Sequence, residues 1–288
     1  MLAAAALAAV LTAGTAWSAP AEPRVRVETR GAAPGESVLI VIEGQPKNRP
    51  PRGALGGMPL AFWRGRHGAY LALAGFDLDA STGPARLELE LVGDGGVPHF
   101  WSRALVVEPK AYPTQEVKVE QKYVTPPKVE ELRAETEARM LKKVYDRRTP
   151  ERLFKGAFLS PIPGALSSRF GERRIFNGVP KSPHGGADLR AKLGVPVKAA
   201  AGGRVVVAQD LFYSGNTVIL DHGLGLYTIY AHLSRMDVKP GQAVKQGRRL
   251  GLVGATGRVS GPHLHWGVKL RGARVDPFSL VELPLGRY

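Results

Sequence analysis

The stretch SGPHLHWGV, residues 260–268, sets His263 and His265 one residue apart behind a Gly261-Pro262 turn. Side chains alternate between the faces of a β-strand, so a strand here sends both imidazoles to one side and Leu264 and Trp266 to the other. Burying two imidazoles without partners costs several kcal/mol in lost hydration. A strand with an apolar back and two ligand-type groups in front is therefore better read as part of a site than as plain core.

Five of the seven histidines follow residue 180, and two more stretches carry them toward such a site. In SPHGGADLR, residues 182–190, His184 and Asp188 flank two glycines that free the backbone to turn. An imidazole nitrogen and a carboxylate oxygen so placed can share one cation. In GLYTIYAHLS, residues 225–234, alternation predicts Leu226, Thr228, Tyr230 and His232 on one face, with Tyr227, Ile229 and Ala231 on the other. His222, in Asp221-His222-Gly223, reads as a structural turn residue.

Together the three stretches resemble the lysostaphin-like (LytM-type) zinc metalloendopeptidases, which cut peptide cross-bridges in bacterial peptidoglycan. The resemblance rests on His184-x3-Asp188, Tyr230-Ala231-His232-Leu233-Ser234 and Gly261-Pro262-His263-Leu264-His265. SSRFGERR, VKPGQAVKQGRRLGLVGATGRVSGPHLH and DPFSL support it. It covers about residues 158–283. Carried over position by position, it implies that His184, Asp188 and His265 bind Zn2+, leaving one coordination position for water. It also implies that His232 and His263 handle protons and the developing oxyanion, with the choice of general base open. Trp266 stands where Phe is frequent, and no ligand position is replaced. Asn216 falls in a strand entry close to the family's substrate groove, or is simply a turn residue beside Gly215.

Elsewhere the chain is mostly β. Residues 20–110 alternate short apolar runs with turns and predict an immunoglobulin-like β-sandwich. Residues 111–157 form an extended, proline-punctuated linker with a helix, whose stripe is Val129, Leu132, Thr136, Met140 and Val144. A further helical turn is expected from Thr149. Residues 158–288 form an antiparallel-sheet peptidase domain. Residues 1–19 are uncharged and end in Trp17-Ser18-Ala19, which reads as a secretory signal peptide, with an uncleaved anchor as the alternative. Export to the periplasm, cell envelope or medium follows, without stable membrane insertion after cleavage.

With no cysteine in 288 residues, disulfides are excluded and any metal must be held by His, Asp or Glu. The formal charge of +15 favours polyanions. For an exported chain these are anionic cell-envelope polymers, the alternative being a solvated basic surface with no specific partner. The resemblance implies peptidoglycan peptides as substrate, and no nucleic-acid partner is expected. The His-Glu-x-x-His helix, the Gly-x-Ser-x-Gly elbow and the phosphate-binding glycine loop are absent. The expected function is thus a secreted zinc endopeptidase acting on peptidoglycan. The alternative is a non-catalytic envelope protein that binds peptidoglycan and activates a wall amidase.

Overall fold

The computed structural model describes residues 22–93 and 96–288, and the expected leader lies outside them. The chain is mostly β, as its sequence predicts. Strands Arg24–Glu28, Ser37–Glu43, Tyr70–Gly75 and Phe62–Arg64 form one four-stranded sheet. Met58–Pro59, Arg52–Leu55, Gly83–Val92 and Pro98–Val107 form a second. One core lies between them, with Val38, Ile40 and Ile42 from the first and Leu87, Leu89 and Leu91 from the second.

The run SVLIVIE is apolar without interruption because both its faces are buried. Val38, Ile40 and Ile42 face the second sheet, while Leu39 and Val41 join the core of the C-terminal half. Tyr70–Gly75 behaves alike, with Leu71 and Leu73 turned to the C-terminal half. Polar groups lock this junction. Arg30 Nη2 lies 2.7 Å from Asp276 Oδ2, and Arg274 Nη2 lies 2.6 Å from both Asp77 Oδ1 and Asp79 Oδ2. The Ser37 amide donates to Ser279 Oγ at 3.1 Å.

The C-terminal half is built on a ten-stranded sheet. Its main path runs Leu166–Ser168, Gly186–Arg190, His263–Leu270, Leu226–Met236, Gly215–Asp221, Gly203–Leu211 and Ala243–Val244. Leu264, Trp266, Tyr230 and Leu220 bury its back face. Asp276 Oδ1 caps the short helix Pro277–Val281 by accepting from the Phe278 amide at 3.0 Å.

The connecting segment is docked along its length. Thr114–Val117 pairs in parallel with Arg173–Phe176, adding a strand to the hairpin that reaches Lys181. The helix Lys128–Asp146 begins after Pro127, and its buried side differs from the predicted stripe. Val129 and Leu132 are exposed, while Met140, Leu141, Val144 and Tyr145 pack on Val207, Ile219 and Tyr227. The sheet face lies under the C-terminal half of the helix only. No helical turn forms at Thr149, whose hydroxyl instead donates to Asp221 Oδ2 at 2.5 Å. No helix among the described residues is long and apolar enough to cross a membrane.

Candidate metal centre

Two paired strands bring three predicted ligands together. Gly186–Arg190 runs antiparallel to His263–Leu270 with Asp188 opposite His265, so both side chains share a sheet face. His184 sits at the entry to the first strand. Gly186 is required beneath it, because a Cβ there would lie 2.7 Å from His265 Cε1 and 2.5 Å from the Trp266 carbonyl oxygen.

His184 Nε2, Asp188 Oδ1 and His265 Nδ1 form a nearly equilateral triangle with edges of 2.9–3.0 Å. Hydrogen bonds alone cannot account for it. His184 Nδ1 lies 2.9 Å from the Arg169 carbonyl oxygen, which only accepts. Burial first, against the pull of Asp188, lowers His184 from its ordinary value to about 4. At neutral pH the ring is therefore uncharged, donates through Nδ1 and turns an Nε2 lone pair toward the other two ligands. The remaining edges share at most the one proton of His265 Nδ1. A cation at the apex satisfies all three atoms together. A tetrahedral zinc with bonds near 2.05 Å needs a ligand triangle of about 3.3 Å, close to the edges present. The donor set thus fits zinc.

Asp188 is ready for the role. Burial works to raise its pKa, but the imidazoles of His184 and His265 outweigh it and hold the carboxyl well below its usual range. Its second oxygen, Oδ2, takes the Arg174 guanidinium at 2.5 Å, leaving Oδ1 for the ligand triangle. Arg174 also donates to Ser168 Oγ at 3.1 Å, and that hydroxyl lies 2.6 Å from Glu172 Oε2. Sequence reasoning assigned no role to Arg174. SSRFGERR carries no periodicity that would single it out, because its partner lies 14 residues away in another strand.

His263 and His232 stand beside the triangle, with ring centroids 4.9 Å apart. His263 Nδ1 donates to the Gly261 carbonyl at 2.8 Å, and His232 Nδ1 donates to the Thr256 carbonyl at 2.8 Å. Both rings thereby keep an Nε2 lone pair free. Burial lowers the pKa of each, and the neighbouring imidazoles of His263 and His265 push His232 further down. His232 does not reach this position by alternation. In the paired strands Tyr230 opposes Trp266 and Ala231 opposes His265, so a regular strand would aim His232 into the core. Two residues, Ala231 and His232, instead face the single Thr217 in a β-bulge. His232 takes φ +63°, which turns its ring onto the face of His265, with centroids 5.9 Å apart. The predicted face for His232 is thus corrected by a strained backbone at one residue.

Asn216 braces that bulge. Its side-chain amide donates to the Leu233 carbonyl at 3.0 Å and its backbone amide to Thr256 Oγ1 at 2.9 Å. His222 lies fully buried on the other side of the sheet. Its ring nitrogens are 2.7 Å from the Gly202 carbonyl and 2.7 Å from Thr228 Oγ1.

A cavity of about 440 Å³ opens beside Asp188 and His263, with Gln115 and Val117 of the connecting strand on its wall. A smaller one of about 170 Å³ lies against His184, His232 and His265.

The family profile described as "Peptidase family M23" matches residues 182–277, the span that holds every residue of the triangle. A solved structure from Pseudomonas aeruginosa, described as a putative peptidase M23, is similar to the chain across both halves. It is 32% identical, with a TM-score of 0.68 over 88% of this chain and 96% of that one. Peptidoglycan DD-endopeptidase ShyA of Vibrio cholerae is 43% identical over 112 residues, 38% of this chain and 26% of the relative. ShyC of the same organism is 42% identical over 137 residues, 46% of this chain and 31% of the relative. The match thus spans about a quarter to a third of these curated relatives.

Proposed function

The chain belongs to peptidase family M23, and from that premise we propose that it is a zinc-dependent endopeptidase that hydrolyses peptide links of bacterial peptidoglycan. The observation that carries this reading is the triangle of His184 Nε2, Asp188 Oδ1 and His265 Nδ1, which only a cation satisfies in full. These three residues hold the metal, and Arg174 fixes which carboxylate oxygen faces it. Zinc bound there supplies the Lewis acidity that makes water nucleophilic near neutral pH.

The remaining chemistry belongs to His232 and His263. Each is neutral, with Nδ1–H committed to a carbonyl and Nε2 free to accept. One takes the proton released as water oxygen bonds to the peptide carbonyl carbon. The imidazolium so formed donates through Nε2, either to the oxyanion or to the leaving nitrogen as the C–N bond breaks. The low intrinsic basicity set by burial favours prompt return of that proton.

Action on wall peptides places the protein in the cell envelope, and its net charge of +15 favours the anionic polymers found there. The test is digestion of purified peptidoglycan with the metal-loaded protein, followed by mass spectrometry of the fragments. New peptide termini, reversibly abolished by chelation and restored by zinc, are expected. A zinc-loaded protein that releases no peptide fragment from any wall overturns the proposal.

A further inference from the structure

Arg258 stands at the meeting of the two cavities and has no role in the scheme above. It follows Gly257 in the loop leading to Pro262, and its amide donates to the Tyr213 carbonyl at 2.8 Å. Its guanidinium carbon lies 4.6 Å from the ring centroids of both Phe176 and Tyr213. The side chain is therefore held between two aromatic rings. It lines the larger cavity with Asp188 and His263 and the smaller one with His184, His232 and His265.

Arg174 and Arg258 share these walls but differ in one respect. Arg174 is committed to Asp188 and Ser168. Among the described residues, no carboxylate forms an ion pair with Arg258, and the like charge of Arg174 adds to the burial that lowers its pKa. Burial lowers Arg258 to about 10, so it remains cationic at neutral pH. A half-buried cation clamped by aromatic rings and lacking a counter-ion is costly unless an anion arrives with the substrate. A guanidinium presents paired N–H donors that match a carboxylate.

We propose that Arg258 binds a free carboxylate of the substrate peptide close to the scissile amide. This rests on the peptidoglycan-peptidase reading above and narrows it. A direct cross-link from D-alanine to a diamino acid whose two amine-bearing carbons each hold a carboxyl group carries such a carboxylate on the carbon that bears the scissile nitrogen. A glycyl bridge carries none. Arg258 therefore selects the direct link.

The experiment uses two soluble cross-linked peptides that differ only in whether this carboxylate is free or a primary amide. The zinc-loaded wild-type protein is expected to cut the free acid with kcat/KM about 10- to 100-fold above the amide, the worth of one charged hydrogen-bonded pair. Arg258→Gln should lose that factor on the acid and show no preference between the two, while Arg258→Lys keeps part of the preference. Zinc content and melting temperature of each variant report folding separately. Equal rates for wild type on both peptides overturn the carboxylate subsite while leaving the peptidase reading intact. So does an Arg258→Gln variant that loses the same factor on both. Wild-type protein that cuts neither peptide overturns both.

Discussion

The strands His263–Leu270 and Leu226–Met236 lie side by side and deliver histidines to the same place by opposite means. The first does so by regularity. Its period of two sends His263 and His265 forward, and Leu264 and Trp266 back into the core. The second does so by irregularity. Its extra residue and the left-handed backbone of His232 reverse a side chain that regular pairing would have buried. A regular strand holds its ligands cheaply, whereas the bulge stores strain for one residue and needs Thr256 and Asn216 to hold it. The proposed metal triangle draws on the regular strand through His265, and the proposed proton-handling pair draws on both.

The largest effect should come from the regular strand. His265→Ala removes one of three protein ligands, so both zinc retention and cleavage should fall to background by metal analysis and peptide assay. His232→Ala attacks the bulged strand instead. Zinc should stay at one equivalent while kcat drops about 10²- to 10⁴-fold, the usual range for a proton-transfer group. If turnover survives in His232→Ala, the bulge serves something other than proton handling.

The core face of the bulged strand gives the third test. Burial lowers His222, which bonds Thr228, to about 4, while an unfolded histidine titrates near 6.5. Below pH 6.5 the unfolded chain therefore binds the proton that the folded chain refuses. This stabilising contribution is complete above pH 6.5 and is lost as pH falls to about 4, costing about 3 kcal/mol. Urea unfolding of wild type against His222→Gln across that range should show a shallower pH slope in the variant. The smallest effect should follow from Arg174→Met, which frees Asp188 Oδ2. Zinc affinity is expected to weaken about 10- to 100-fold by competition with a chelating dye. An unchanged affinity would mean that the strand alone orients Asp188.

How far the sequence could be read follows the same division. The face-sharing of His263 and His265, the apolar backing of Leu264 and Trp266, and the doubly buried SVLIVIE run are local patterns, and local patterns survive folding. The reach from His184 and Asp188 to His265 was legible only through the resemblance of whole motifs, because their spacing alone is common. What escaped depends on partners distant in sequence. Val129 and Leu132 have the right spacing for a buried stripe, but nothing lies over them. TQEV looks like linker, and only its pairing with Arg173–Phe176 makes it a strand. Thr149 reads as a helix start until Asp221 claims its hydroxyl. The backbone of His232 has no signature in a period-two pattern.

The strand Thr114–Val117 stands outside residues 182–277, the span matched by the family profile, yet Gln115 and Val117 form a bank of the larger cavity. A fragment trimmed to begin at residue 182 would keep His184, Asp188 and His265 but lose that bank, and with it the Arg174 that holds Asp188 Oδ2. Its channel would be open-sided, and promiscuity measured on such a fragment would belong to the cut rather than to the full chain.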